Sequence, residues 1–202
     1  MTPPDAVSRP GGYSIAALAS SAGGINALGA VLGELPADFP APIVVVQHLD
    51  RRHETAIADI LGRRTPLSVK LAVDREKLAP GVVYIAPPNH HLLVGPSHQL
   101  RLTDSELIHF VRPSADLLFE SVAARYGARA VVAVLTGSGQ DGATGVGKVK
   151  ARGGTVIVQD PQDAEFAGMP TAALERTAAD LVLTLSEIGG ALDRLFRTKE
   201  RR

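Results

Sequence analysis

Short apolar runs of strand length constrain this chain more than any other feature. They fall at Ser14–Ala19, Pro42–Gln47, Val82–Ile85, Ala130–Leu135, Thr155–Val158 and Leu181–Thr184, are rich in Val, Ile and Ala, and mostly do not alternate. A strand with one wet face alternates, whereas a strand covered on both faces reads as a continuous apolar run. Helical spacing lies between them, at Ile25, Leu28, Leu32 and Leu35, at Ala56, Ile57, Ile60 and Leu61, and at Leu118 and Val122. It continues at Ala143, Val146 and Val149 and at Ile188, Leu192 and Leu195, where Ser186 is placed as the N-cap. Strand followed by helix, repeated, predicts a doubly wound α/β domain with a mostly parallel sheet and helices on both faces.

One segment breaks the rhythm. His91–Val94 and Gln99–Thr103 flank Gly95-Pro96-Ser97-His98 and predict an inserted β-hairpin. Ser68–Val73 alternates and predicts an extra strand. The expected organisation is a flexible segment over residues 1–12, one catalytic domain over 13–197 and a frayed basic tail over 198–202.

Composition narrows the function classes. The 202 residues carry 21 basic and 21 acidic side chains, a balance unlike that of a dedicated nucleic-acid binder. Aromatic residues make up 4% and tryptophan is absent, which argues against a stacking platform for single strands. The absence of cysteine removes disulfides, thiolate metal sites and cysteine nucleophiles. No signal peptide and no apolar stretch of membrane-spanning length is read, so a cytoplasmic protein without membrane insertion is expected.

In open parallel sheets, ligands bind beyond the carboxyl ends of the strands, so the residues following each strand run matter most. After the first run comes Ser20-Ser21-Ala22-Gly23-Gly24, a small-residue turn into a helix that suits a serine nucleophile or a phosphate cradle. After the second comes Gln47-His48, a candidate general base, with His53, His90, His91, His98 and His109 as competitors. His90 and His91 read as loop residues. After the fourth comes Thr136-Gly137-Ser138-Gly139-Gln140-Asp141-Gly142-Ala143. Asp141 reads either as a helix N-cap or as the acid that orients a histidine. Serine, imidazole and carboxylate on one sheet edge suit acyl transfer. The order Ser, His, Asp and the lack of a G-x-S-x-G elbow set the chain apart from the common α/β-hydrolases.

These residues resemble the catalytic domain of CheB-type chemoreceptor methylesterases, also called protein-glutamate methylesterase/protein-glutamine glutaminase. The resemblance runs from Ser14 to Phe196. It is carried by Ser21-Ala22-Gly23-Gly24, Gln47-His48, Leu135 through Ala143, Tyr84-Ile85-Ala86-Pro87, Arg112-Pro113-Ser114 and Phe166 through Pro170. It implies a Ser21 nucleophile, a His48 base and an orienting Asp141. The implied reaction is hydrolysis of γ-glutamyl methyl esters on cytoplasmic chemoreceptor helices, with deamidation of selected glutamines. Backbone N–H groups near Ala22 and Ser138 are expected to bind the oxyanion, and no metal or organic cofactor is expected. The family commonly has Gly-Ala where this chain has Ala19-Ser20, Met at Ser138 and Asn at Gln140. Its usual N-terminal receiver domain has no counterpart here, so any regulatory input is expected from a separate protein. Arg51, Arg52, Arg63 and Arg64 are expected either to guide an acidic receptor helix or to form a solvated face. Arg112 is read as a loop anchor. The rival readings are a non-catalytic CheB-like binding scaffold, a serine esterase with another substrate outside chemotaxis, and a phosphate-binding domain built on Ser20–Gly24.

Overall fold

The computed structural model describes residues 12–49 and 55–198. The elements run β1 (Ile15–Ser20), α1 (Gly24–Gly33), β2 (Ile43–Gln47), α2 (Ile57–Gly62), β3 (Ser68–Leu71), β4 (Val82–Ile85), β5 (His91–Val94) and β6 (Leu100–Thr103). There follow α3 (Ala115–Tyr126), β7 (Ala130–Val134), α4 (Ala143–Ala151), β8 (Thr155–Gln159), α5 (Gly168–Arg176), β9 (Leu181–Leu183) and α6 (Leu185–Arg197). Seven strands form one sheet in the order β3-β4-β2-β1-β7-β8-β9. Every pairing in it is parallel.

The continuous apolar runs have the expected cause. All residues of β1, β2, β7 and β8 are buried. Successive side chains point to opposite faces. Ala17, Ala19, Val132 and Val134 face a layer of α3, α4 and α5, where Leu118, Phe119, Val146 and Met169 pack. Leu18, Val45, Val131 and Ala133 face α1, α2 and α6, where Leu28, Leu32, Leu61, Ile188 and Leu192 pack. The β5–β6 hairpin pairs His91 with Thr103 through Val94 with Leu100, and its Leu92, Val94 and Leu100 join the α3 side of the core. Ser121 Oγ accepts the Val94 N–H at 2.9 Å and ties the hairpin to α3.

Three local expectations need correction. Thr184, not Ser186, caps α6, in a capping box with Glu187. Gly142, not Asp141, is the N-cap of α4. His91, read both as the start of the hairpin and as a loop residue, opens β5 as the hairpin reading has it, fully buried. Helix α5 carried no helical expectation at all. Its Pro170 sits in the first turn, where a missing N–H costs nothing, and its buried face is only Met169, Pro170 and Ala173. The expected terminal segment and tail lie almost wholly outside the described residues, as do Arg51, Arg52 and His53.

Candidate active site

Strand order reverses at β1, which has β2 on one side and β7 on the other. This is the switch point where a doubly wound sheet opens a crevice. The ladder continues past the strand ends: the Ser20 carbonyl accepts the His48 N–H at 3.1 Å, and the Ser21 N–H donates to the Thr136 carbonyl at 3.0 Å. Register therefore brings Ser21, His48 and the Thr136–Asp141 loop to one edge.

Ser20 and Ser21 have opposite fates. Ser20 is fully buried, and its hydroxyl donates to Gln47 Oε1 at 2.6 Å. Ser21 is half-buried, just before Gly23, the N-cap of α1. A helix N-terminus favours negative charge developing there. Gly137 lies against Ser21: a Cβ on it would come within 2.9 Å of Ser21 Cβ and 2.3 Å of Met169 Sδ. Thr136 is buried behind this turn, its N–H held by Gln159 Oε1 at 2.9 Å and its hydroxyl accepting the Phe166 N–H at 2.8 Å. Ser138 and Gln140 are exposed on the same loop.

His48 Nε2 and Asp141 Oδ2 are 2.8 Å apart, with the imidazole 13% and the carboxylate 4% exposed. An ionised carboxylate accepts only, so Nε2 carries the proton and Nδ1 keeps the free lone pair. Asp141 accepts three further hydrogen bonds: Ala115 N–H to Oδ2 at 2.6 Å, Ser114 hydroxyl to Oδ1 at 2.8 Å and Asp116 N–H to Oδ1 at 3.1 Å. These are the first groups of α3, so the carboxylate sits on that helix N-terminus. Burial pushes its pKa up, but the bonds from His48, Ala115 and Ser114 outweigh burial and hold it below the usual value.

Asp116 returns the arrangement. Its Oδ1 accepts the N–H groups of Gly142 at 3.0 Å and Gly145 at 2.7 Å, so Asp116, from the first turn of α3, caps α4, while Asp141, just before α4, caps α3. Burial raises the Asp116 pKa, and the neighbouring Asp141 charge adds to the rise. His109 Nε2 lies 3.4 Å from its other oxygen.

The competing histidines do other work. His91 Nδ1 accepts the Ser114 N–H at 3.1 Å, and its Nε2 donates to the Glu106 carbonyl at 3.0 Å. Burial lowers its pKa, and the neutral form is the one these bonds require. His98 pairs with the Tyr126 hydroxyl at 2.8 Å, and His90 is exposed beside the Pro88 carbonyl. Arg112 anchors its loop as expected: it donates to Asn89 Oδ1 and to the carbonyls of Asp104 and Ser105. Arg64 bonds Asn26 at 3.1 Å, across Gly29 of α1. Sequence reasoning missed Gln47 and Gln159 as buried hydrogen-bonding residues at strand ends. Their polar type at the close of apolar runs was the signal.

Fold and site together define a class: a parallel α/β domain of hydrolase type whose serine, histidine and aspartate follow three adjacent strands. A family model described as CheB methylesterase matches residues 16–192, and the chain belongs to that family. A Leptospira interrogans relative, provisionally named protein-glutamate methylesterase/protein-glutamine glutaminase, is 40% identical over 183 residues, 91% of this chain and 95% of its own. The protein-glutamate methylesterase FrzG of Myxococcus xanthus is 41% identical over 180 residues, 89% of this chain but 54% of its own. The crystal structure of the Thermotoga maritima CheB methylesterase catalytic domain matches with TM-score 0.86 and 38% identity, covering 91% of this chain and 98% of that one. Among the described residues no helix is long and apolar enough to cross a membrane.

Proposed function

We propose that the chain is a protein-glutamate methylesterase acting on methylated chemoreceptor helices, and that it also deamidates receptor glutamines. The observation that carries this reading is the 2.8 Å His48–Asp141 pair on the strand end beside Ser21. His48 Nδ1 takes the Ser21 Oγ proton as Oγ attacks the γ-carbonyl carbon. The oxyanion is bound by the N–H groups of Ala22, at the entry to α1, and Ser138, next to Gly137. Collapse breaks the carbonyl–methoxy bond, and His48 returns the proton to give methanol. Water then attacks the acyl-serine, gives its proton to His48 and restores Ser21 Oγ–H, leaving a glutamate carboxylate. With a glutamine side chain the leaving group is ammonia. Asp141, held ionised, fixes the tautomer and stabilises the imidazolium.

The relatives' names support the substrate, and the organised Asp141 carboxylate favours an enzyme over a retired scaffold. The test is methanol release from a methylated receptor, beside ammonia release from its glutamine form. Wild type releases both and Ser21→Ala neither. Turnover of a generic ester with no release from any receptor overturns the substrate assignment.

A further inference from the structure

We infer that Gln47 is a positioning residue that sets the nucleophile and the base against each other through one buried amide. This rests on the proposed roles of Ser21 and His48. Gln47 is 3% exposed and closes β2. Its Nε2 donates to the Ser21 carbonyl at 2.8 Å and to the His48 carbonyl at 2.9 Å. Its Oε1 accepts the Ser20 hydroxyl at 2.6 Å. Two carbonyl acceptors fix which end of the amide is nitrogen, since an oxygen there would face two oxygens. Both N–H groups and one lone pair are used, so the side chain has one orientation.

The two carbonyls belong to the two residues whose side chains must exchange a proton. One strand ends one residue before each, at Ser20 and at Gln47. Beside the ladder bond from His48 N–H to the Ser20 carbonyl, the Gln47 amide is a further tie between the two segments. Ser20 completes the brace, giving a role to a hydroxyl that stands where the family commonly has none. The fit is tight on the helix side as well: a Cβ on Gly24 would lie 2.0 Å from Gln47 Oε1 and 2.6 Å from Ser20 Oγ. An extra carbon at residue 24 therefore displaces the amide. Proton transfer is steep in geometry, and misplacement of about 1 Å costs on the order of 10²-fold.

The experiment measures how fast a small fluorophosphonate labels the serine. Ser21 Oγ–P forms, P–F breaks, fluoride leaves, and the serine proton passes to His48. The probe needs no receptor, so it reads alignment apart from substrate recognition. Gln47→Met keeps the volume and deletes the amide. Gln47→Glu keeps the shape and places an acceptor against the carbonyls. Both are measured well below their unfolding temperatures, where a purely stabilising role leaves the labelling rate of folded protein unchanged. We expect both to label about 10- to 100-fold more slowly than wild type. Their kcat for methanol release should fall in step and KM hold within about twofold. Ser20→Ala, which leaves both carbonyl bonds in place, should stay within about fivefold of wild type. Should the Gln47 variants not fold, Gly24→Ala perturbs the same amide from the helix side and is expected to slow labelling likewise. Wild-type labelling rates in the folded Gln47 variants, or in Gly24→Ala, overturn the inference alone. An unlabelled wild type overturns the reading of Ser21 and the inference with it.

Discussion

Replacing Asp141 by asparagine separates two jobs that a carboxylate does at once. Asparagine keeps one acceptor oxygen and turns the other into a donor. The shorter pair of bonds, from Ala115 at 2.6 Å and His48 at 2.8 Å, converges on Oδ2. At Oδ1, the Ser114 hydroxyl at 2.8 Å can turn to accept, and only the Asp116 N–H at 3.1 Å meets a donor. The amide therefore settles with its oxygen on Ala115 and His48, and the His48 tautomer survives. The negative charge does not survive. At about 4 Å and an effective dielectric of about 20, that charge is worth about 4 kcal/mol to the imidazolium. Loss of that stabilisation lowers kcat by about 10³-fold. Stability falls by about 2 kcal/mol, from one unmet buried N–H and the lost charge at the α3 terminus. The sign with pH follows from the depressed pKa. The wild-type advantage is complete above the ordinary value of 3.8 and disappears as pH falls through the lower folded value. The assays are receptor demethylation at saturating substrate and urea unfolding from pH 7 to pH 3. A kcat within about tenfold of wild type, or a stability gap that widens as pH falls, refutes the reasoning.

Asp116→Asn should behave in the opposite way. Its Oδ1 bonds to Gly142 and Gly145 survive as amide bonds, and a carboxylate with a raised pKa is relieved of its burial cost, so urea unfolding at pH 7 should show a variant at least as stable as wild type. His91 is held neutral, its folded pKa below the ordinary 6.5, so global stability should fall as pH drops below about 6.5, and His91→Gln should flatten that slope in denaturant titrations at pH 7.5 and 5.5. Gly137→Ala forces a methyl against Ser21 and Met169, and thermal unfolding should report a loss of about 1–3 kcal/mol together with reduced methanol release. Thr184→Ala removes the α6 capping box, which makes no hydrogen bond to Ser21, His48 or Asp141, costing about 1 kcal/mol in urea unfolding with kcat unchanged.

Much of the fold was legible because burial on both faces leaves a plain mark on sequence. The Val-Ile-Ala runs of β1, β2, β7 and β8 fitted strands covered on both faces, as in a parallel sheet, and their carboxyl ends named the loops worth reading. Helices α1 and α6 carried wide Leu and Ile stripes. Helix α5 escaped because a proline in its first turn and a face of Met169 and Ala173 give little periodic signal. The site was legible only in part. The runs placed Ser21, His48 and Asp141 on one sheet edge, and the strand order shows that they follow adjacent strands. Which helix Asp141 caps was not readable: it caps α3, 26 residues earlier in the chain at Ala115, rather than the α4 that follows it. That is a tertiary relation between two N-termini, and local sequence near Asp141 points to the wrong one. The burial of His91 was not readable because its partners, Ser114 and Glu106, come from segments that only the folded chain brings near. Gln47 likewise gains its meaning from Ser20 on the neighbouring strand.

Peptide mapping after reaction with a fluorophosphonate tests most directly whether His48 and Asp141 make Ser21 a nucleophile. A single adduct on Ser21, none on the buried neighbour Ser20, and labelling slowed at least a thousandfold in His48→Ala, on the order of a catalytic triad member's contribution, is the predicted result. An adduct on Ser20, no adduct, or unchanged labelling without His48 would contradict it.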